Sequence, residues 1–146
     1  MKKPVQPPVY FIIFLILSLL SYFAPLKIIP VPYNYLGTTS IILGVALNLW
    51  TDSLLKKAET NVKYHTKPNR LVVSGPFRIS RNPMYLGMLL ILLGICVLVQ
   101  SVISFVFPLV FIFIIETKFV PVEEKNMEES FREEYLEYKK NVRRWI

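Results

Sequence analysis

Three long stretches without a single charged residue constrain the fold of this chain more than any other feature. No Asp, Glu, Lys or Arg occurs in residues 4–26, 28–51 or 82–115. A helix needs about 20 apolar residues to cross a hydrocarbon core roughly 30 Å thick, so the first two stretches each fit one crossing. The third is too long for one straight span. We predict that it forms a tight hairpin of two short spans, interrupted where Gln100, Ser101 and Ser104 break the apolar run.

Composition supports a membrane protein. Hydrophobic residues make up 53% of the 146 residues, and the mean hydropathy is +0.46, which all but excludes an ordinary water-soluble domain. A cleaved signal peptide explains the first stretch poorly, because no small-residue cleavage site follows it before Pro25. We therefore predict an all-α, polytopic transmembrane bundle with four spans and a C-terminal amphipathic helix.

The basic residues are concentrated in one loop. Residues 52–81 hold seven Lys and Arg, the N-terminus holds two, and the loop around Lys27 holds one. Because Lys and Arg are retained on the cytoplasmic side, four spans would place the N-terminus, this loop and the C-terminal tail in the cytoplasm. The formal charge of +7 is thus a local property that gives little support to nucleic-acid binding, whereas contact with anionic lipid stays open.

The charged tail carries a periodic apolar face. Its members are Met127, Phe131, Tyr135, Tyr138, Val142 and Trp145, which recur at steps of three and four residues. This spacing predicts one face of a single amphipathic helix that Pro121 can open. Acidic residues crowd its start and basic residues its end, as the helix dipole favours. Two placements remain open: the helix lies on the membrane surface, or it folds back over the basic loop.

The start of the third apolar stretch is the richest candidate site. Ser74-Gly75-Pro76 indicates a turn, and Asn82-Pro83 predicts a helix start with Asn82 as the side-chain cap. Free backbone N–H groups there, with Arg78 and Arg81 nearby, suit a carboxylate or a phosphate. An interfacial arginine beside a capped membrane helix explains the same pattern without a ligand.

Small residues and the scarcity of metal ligands narrow the chemistry. Gly37 and Gly44 share the seven-residue spacing of Gly87 and Gly94, which favours close packing of two helices. His65 and Cys96 are the only residues of their types, so we expect no metal site and no disulfide. There is no glycine-rich nucleotide fingerprint and no serine nucleophile elbow.

Several blocks together resemble the isoprenylcysteine carboxyl methyltransferase family. They are Leu71–Phe77 (LVVSGPF), Arg81–Tyr85 (RNPMY), Glu123–Glu124 and Glu133–Lys140 (EEYLEYKK). The resemblance covers about residues 62–144 and implies a five-helix membrane core. It also implies transfer of a methyl group from S-adenosylmethionine to the α-carboxylate of a prenylated cysteine. On this basis we divide the chain into N-terminal transmembrane helices, 1–61, and a cofactor-binding part, 62–146.

The resemblance also assigns residues. The cofactor-binding candidates are Asn69, Arg70, Leu71, Val72, Phe77, Arg81, Asn82, Pro83, Tyr85 and Glu123, with His65 added. Arg81, Tyr85 and Glu123 are the candidate catalytic residues. Two positions depart from the family: Asn82 stands where a histidine is usual, and Phe119 stands where a substrate-binding arginine is expected. Lys118 is a possible substitute for that arginine, and Glu124 is the other substrate candidate.

Other functions remain as alternatives. Phospholipid N-methyltransferases share the expected architecture and cofactor, but an amine acceptor must first lose a proton, which calls for a base such as His65 or a glutamate. Sterol reductases resemble the C-terminal block but are longer and use a nicotinamide cofactor. A small transporter needs an ionisable group inside a span, and none is present. A membrane scaffold without catalytic activity would bind no cofactor.

Overall fold

Helices make up all the regular secondary structure of the described chain. The computed structural model describes residues 5–24, 26–60 and 68–146. The five α-helices are α1 (Pro7–Leu20), α2 (Leu36–Lys57), α3 (Pro83–Val99), α4 (Val106–Ile114) and α5 (Val120–Asn141). Short 3₁₀ turns flank several of them, and a π-helix, Ile115–Phe119, joins α4 to α5 without a break. The all-α prediction is confirmed.

Helices α3 and α4 form the predicted hairpin, and its turn lies between Val99 and Val106. Helix α3 stops because Gln100 adopts the left-handed conformation, with φ 67°, and its N–H bonds the carbonyl of Cys96. Ser104 Oγ then donates to the carbonyl of Ser101 at 2.6 Å and stabilises the 3₁₀ turn that leads into α4. The polar residues thus turn the chain where the sequence predicted it.

Glycines bring the backbones of α2 and α3 into contact. A Cβ atom at Gly44 would stand 2.6 Å from the carbonyl oxygen of Gly87. A Cβ atom at Gly94 would stand 2.5 Å from the carbonyl oxygen of Gly37. Both distances are too short for any side chain, so the predicted close packing of the two glycine pairs is confirmed.

The outer faces of the bundle are apolar. Two helical stretches, Tyr33–Lys57 and Val102–Asn141, are long and apolar enough to cross a membrane, and Pro7–Phe23 and Pro83–Val99 are shorter apolar helices. Large side chains such as Ile12 and Ile42 are 54% and 62% exposed. Exposed apolar surface of this extent is typical of a protein that contacts lipid.

The tail helix differs from the single straight helix that the sequence predicted. Arg132 has φ 42° and ψ −115°, which breaks α5 into two halves, and the helix ends at Asn141. Lys139 Nζ lies 2.7 Å from Glu128 Oε1, although eleven residues of straight helix would separate them by about 16 Å. The second half therefore folds back on the first, and Val142 and Trp145 lie beyond the helix. Nothing in the sequence near Arg132, neither glycine nor proline, marks this break.

The tail packs on the loop before α3, in agreement with the second of the two predicted placements. Tyr138 donates its hydroxyl proton to the carbonyl of Phe77 at 2.6 Å. In the last five residues, 142–146, the backbone carbonyls of Arg143 and Arg144 accept hydrogen bonds from Ser80–Asn82. We call these five residues the C-terminal strap.

The sequence predicted that the side chain of Asn82 caps α3, but in the structure it does not. Its amide nitrogen Nδ2 donates instead to the carbonyl of Arg144 at 3.1 Å. Ser80 Oγ accepts the backbone N–H of Asn82 at 3.1 Å. The cap prediction was wrong because the strap offers Asn82 an acceptor that local sequence does not reveal.

Candidate active site

A cavity of about 340 Å³ lies between the loop before α3, the start of α3 and both halves of α5. Ten of the residues singled out in the sequence line it: Arg70, Leu71, Val72, Phe77, Arg81, Asn82, Pro83, Tyr85, Glu123 and Glu124. Its volume is within the range of pockets that hold small molecules. The two sequence blocks that flank the α3–α4 hairpin therefore meet at one place.

Two candidates among the described residues do not line this cavity. Asn69 stands outside the lining, and its side chain donates to the carbonyl of Glu59 at 3.4 Å. Lys118 is exposed on the π-helix and is also absent from the lining. His65 lies outside the described residues. Phe119, at the position where an arginine was expected, is buried and packs edge-on against Tyr10 at 5.8 Å between ring centroids.

Several lining residues were missed. Tyr135 and Tyr138 belong to the periodic face of the tail, so the pattern marked them as buried without saying against what. Met127 on α5 belongs to the same periodic face, whereas Met84 and Met88 lie on α3. Gln6 and Pro8, at the start of α1, also reach the cavity and carry no sequence signal of a site.

Glu123 faces the cavity in an apolar setting. Tyr85 donates its hydroxyl proton to Glu123 Oε1 at 2.6 Å, and Tyr85 itself is buried. Glu123 lies outside the predicted membrane spans, because the last charge-free stretch ends at Ile115. Burial raises the pKa of Glu123 to about 7, against the lowering effect of the Tyr85 hydrogen bond. Among the described residues no cation pairs with this carboxylate.

Glu124, the next residue, is surrounded by cations. Its carboxylate accepts from Arg81 Nη2 at 3.0 Å and from Arg144 Nη2 at 2.7 Å, and Lys139 Nζ lies at 3.7 Å. Burial works to raise the pKa of Glu124, but the hydrogen bonds of Arg144 and the charges of Arg81 and Lys139 hold it below its ordinary value. Glu124 is thus a buried, charged centre of a network rather than a free group in the cavity.

Arg81 keeps part of its guanidinium without a protein partner. Its side chain is 8% exposed and lines the cavity, yet among the described residues Nε and Nη1 find no hydrogen-bond acceptor. A buried arginine N–H group without a hydrogen-bond acceptor is unfavourable. The geometry of these groups matches the oxygens of a carboxylate or a phosphate. The arrangement suits an anionic group of a ligand.

Two tyrosines of the cavity, Tyr135 and Tyr138, keep their hydroxyl groups protonated. Burial raises the pKa of Tyr138 to about 12, so its hydroxyl keeps its proton and stays a donor to Phe77. Burial and the nearby charge of Glu124 likewise raise the pKa of Tyr135. The cavity therefore offers an arginine for an anion, a carboxylate for a cation or a hydroxyl, and aromatic and methionine surface for apolar groups. In the described ranges no cluster of His, Cys, Asp and Glu could hold a metal ion.

The fold and the cavity define a helical membrane bundle with a polar pocket at the start of α3, and comparison with known proteins identifies its family. Residues 33–134 match the family described as phospholipid methyltransferase, and the chain belongs to that family. The family is part of the isoprenylcysteine carboxyl methyltransferase-like superfamily of membrane methyltransferases, which confirms the resemblance found in the sequence. The protein is a membrane methyltransferase.

One relative and the solved structures complete the comparison. A protein of Haemophilus influenzae, described as uncharacterized, is 36% identical over 63 residues, which cover 43% of this chain and 100% of the relative. No solved structure matches the chain.

Proposed function

We propose that the protein transfers a methyl group from S-adenosylmethionine to the C-terminal α-carboxylate of a prenylated cysteine, as the sequence blocks imply. One observation carries the cofactor assignment: Arg81 and Glu123 line the same cavity. Two nitrogens of Arg81 have no acceptor, and Glu123 has no cationic partner in the described chain. S-adenosylmethionine carries an amino-acid carboxylate and ammonium, and so matches both groups. When bound, it supplies a methyl group on a sulfonium that is open to nucleophilic attack.

The chain's own residues would bind and orient the reactants. Arg81 would hold the cofactor's carboxylate, together with the free backbone N–H groups of the first turn of α3. Glu123, fixed by the hydroxyl of Tyr85, would bind its ammonium or ribose. Tyr135, Tyr138 and the methionines would exclude water from the reacting atoms. A carboxylate acceptor is already ionised at neutral pH and needs no general base, so positioning carries most of the catalysis.

An apolar groove gives a hydrocarbon chain a place beside this cavity. It has a volume of about 210 Å³ and lies between α3 and α4, where Leu89, Leu93 and Leu109 are among its lining residues. Leu89 is one helical turn beyond Tyr85 on α3, so the groove begins close to the polar cavity. A prenyl chain could enter it from the bilayer with little cost of desolvation.

A binding experiment tests the cofactor assignment. Titration calorimetry in detergent should show that the wild-type protein binds S-adenosylhomocysteine, which retains the amino-acid group. Arg81→Gln and Glu123→Gln should each weaken binding about 10-fold or more, since each removes a hydrogen bond to a charged group. Glu134→Gln, an exposed carboxylate on α5, is the matched control and should bind like the wild type. Equal affinity in all four proteins would remove these assignments.

Methylation of a phospholipid amine is the second candidate, because a specific observation favours it. A carboxylate with a pKa of about 7 can accept the proton that an ammonium must lose, and Glu123 faces the cavity with such a value. Transfer of tritiated methyl groups in membranes separates the two. Base-labile radioactivity on a prenylcysteine analogue supports the ester, whereas base-stable radioactivity on phosphatidylethanolamine supports the amine and contradicts our first choice.

A further inference from the structure

The C-terminal strap connects three elements around the cavity. Its backbone carbonyls accept hydrogen bonds from the loop before α3: Arg143 from the N–H of Arg81, and Arg144 from Ser80 Oγ and Asn82 Nδ2, all at 3.1 Å. Trp145 Nε1 donates to Glu116 Oε2 at 2.9 Å, on the π-helix. The strap thus holds the loop, the π-helix and the start of α5 together.

Arg144 is the side chain that links the strap to the cavity. It donates to Glu124 through Nε and Nη2, at 3.1 and 2.7 Å, and its Nη1 bonds Glu116. Two parallel bonds to one carboxylate fix the plane of that carboxylate. Glu124 is therefore oriented by Arg144 from one side.

The same carboxylate orients Arg81 from the other side. Glu124 Oε1 accepts both Arg144 Nε and Arg81 Nη2, so the two guanidinium groups share one oxygen. Arg81 has no other side-chain acceptor in the described ranges, and its Nε and Nη1 remain for a ligand. The orientation of those two nitrogens therefore depends on where Glu124 is held.

We propose that Arg144 is a positioning residue of the cavity: acting through Glu124, it aligns the guanidinium of Arg81 for the carboxylate of a bound ligand. This role rests on the proposed function, since it needs a ligand with an anionic group at Arg81. It gives the last residues of the chain a part in ligand binding, although Arg144 does not line the cavity.

Affinity for S-adenosylhomocysteine, measured by calorimetry, tests this role. Arg144→Gln should weaken binding about 10-fold, because Arg81 loses its fixed partner. Arg143→Gln is the matched control: its side chain is exposed, and the variant keeps the backbone carbonyl that accepts from Arg81. Its affinity should equal that of the wild type. Should Arg144→Gln fail to fold, Glu124→Gln breaks the same link and should give the same loss.

A double-mutant cycle separates positioning from a general structural effect. In an Arg81→Gln background, Arg144→Gln should cause no further loss of affinity, because the residue through which it acts is already gone.

Each contrary outcome has its own meaning. Additive losses in the cycle, or wild-type affinity in Arg144→Gln, would overturn the positioning role and leave the proposed function standing. A wild-type protein that does not bind S-adenosylhomocysteine would overturn the proposed function and this role with it.

Discussion

Two adjacent glutamates show how strongly the residue scale depends on surroundings. Glu123 and Glu124 are the same residue type at neighbouring positions of one helix, yet the pKa of Glu123 is raised to about 7 and that of Glu124 is lowered. Burial works to raise the pKa of both carboxylates. The difference arises because three cations surround Glu124, whereas the described part of the chain supplies only a tyrosine hydroxyl to Glu123. Successive positions on a helix point about 100° apart, so the two carboxylates meet different neighbours.

The raised pKa of Glu123 predicts a pH-dependent stability. The folded state keeps the proton up to about pH 7, whereas the unfolded chain releases it near 4.5, so this group destabilises the fold as pH rises between those values. Glu123→Gln should therefore match the wild-type melting temperature below pH 4.5 and exceed it at pH 8. The full effect is at most about 3 kcal/mol.

Thermal unfolding in detergent from pH 4 to pH 8, without ligand, measures this difference. Glu134→Gln, exposed on the same helix, should follow the wild type across the whole range. A melting-temperature difference between Glu123→Gln and wild type that does not change with pH would contradict the raised pKa of Glu123.

At the scale of elements, α2 and α3 pack closely because glycines, which have no side chain, lie at their interface. The two glycine pairs bring the helix backbones together, and Ser40 Oγ adds a hydrogen bond to the carbonyl of Leu90 at 2.8 Å. Helices in lipid gain little from apolar association, so close van der Waals contact and such bonds supply the attraction. The fixed pair holds the start of α3, and with it Tyr85, in place.

A methyl group at Gly44 should force the two helices apart. Its Cβ would lie 2.6 Å from the carbonyl oxygen of Gly87, and a backbone atom cannot move away alone. We expect Gly44→Ala to lose about 1–3 kcal/mol of stability, the usual cost of overpacking, and to melt several degrees lower in detergent. Ala46→Val, which adds volume on the exposed face of α2, should leave the melting temperature unchanged. Equal melting of Gly44→Ala and wild type would show that the backbones are not in contact.

Helix α5 was the least predictable element. Its apolar spacing correctly marked Tyr135 and Tyr138 as buried, but the break at Arg132 brings them back to the cavity from the second half of the helix. The backbone of Arg132 lies in a sparsely populated region for a non-glycine residue, which is unfavourable by about 1–3 kcal/mol. The ion pairs of Lys139 with Glu124 and Glu128 join the two halves, and they form only once the chain has folded back.

For the whole molecule, we propose four membrane crossings, and we propose that the cavity faces the cytoplasm. The crossings are α1, α2, α3 and the continuous helical stretch that runs from Val102 through α4 and the π-helix. The charge distribution supports this orientation, because the loop 52–81 carries most of the basic residues outside the tail. The cavity lies at the end of the bundle where α2 ends and α3 begins, and there a water-soluble cofactor and a lipid acceptor can both reach it. The division of the chain at residue 61 stays a prediction, and Leu55 and Thr60 from the first part line the cavity.

Cysteine labelling tests this topology. In a Cys96→Ala background, Tyr33→Cys in the loop between α1 and α2 should react with a membrane-impermeant maleimide on intact cells. Lys140→Cys, at the end of α5, should react only after the membrane is opened. Both residues are exposed, so a difference between them reports the side of the membrane. Labelling of both in intact cells would contradict the predicted orientation.

The sequence by itself determined the membrane location, the turn of the hairpin at Gln100–Ser104, the close helix packing at the glycines, and the family. Each of these depends on local pattern: charge-free length, turn-forming residues, seven-residue spacing and short motif blocks. Only the tertiary structure decided which of two adjacent glutamates is paired and that Asn82 bonds the strap instead of capping its helix. It also decided that Arg144 reaches Arg81 through Glu124. These outcomes depend on contacts between residues 20 to 62 positions apart. Electrostatic and hydrogen-bonding energies follow distance in space, which no local pattern records.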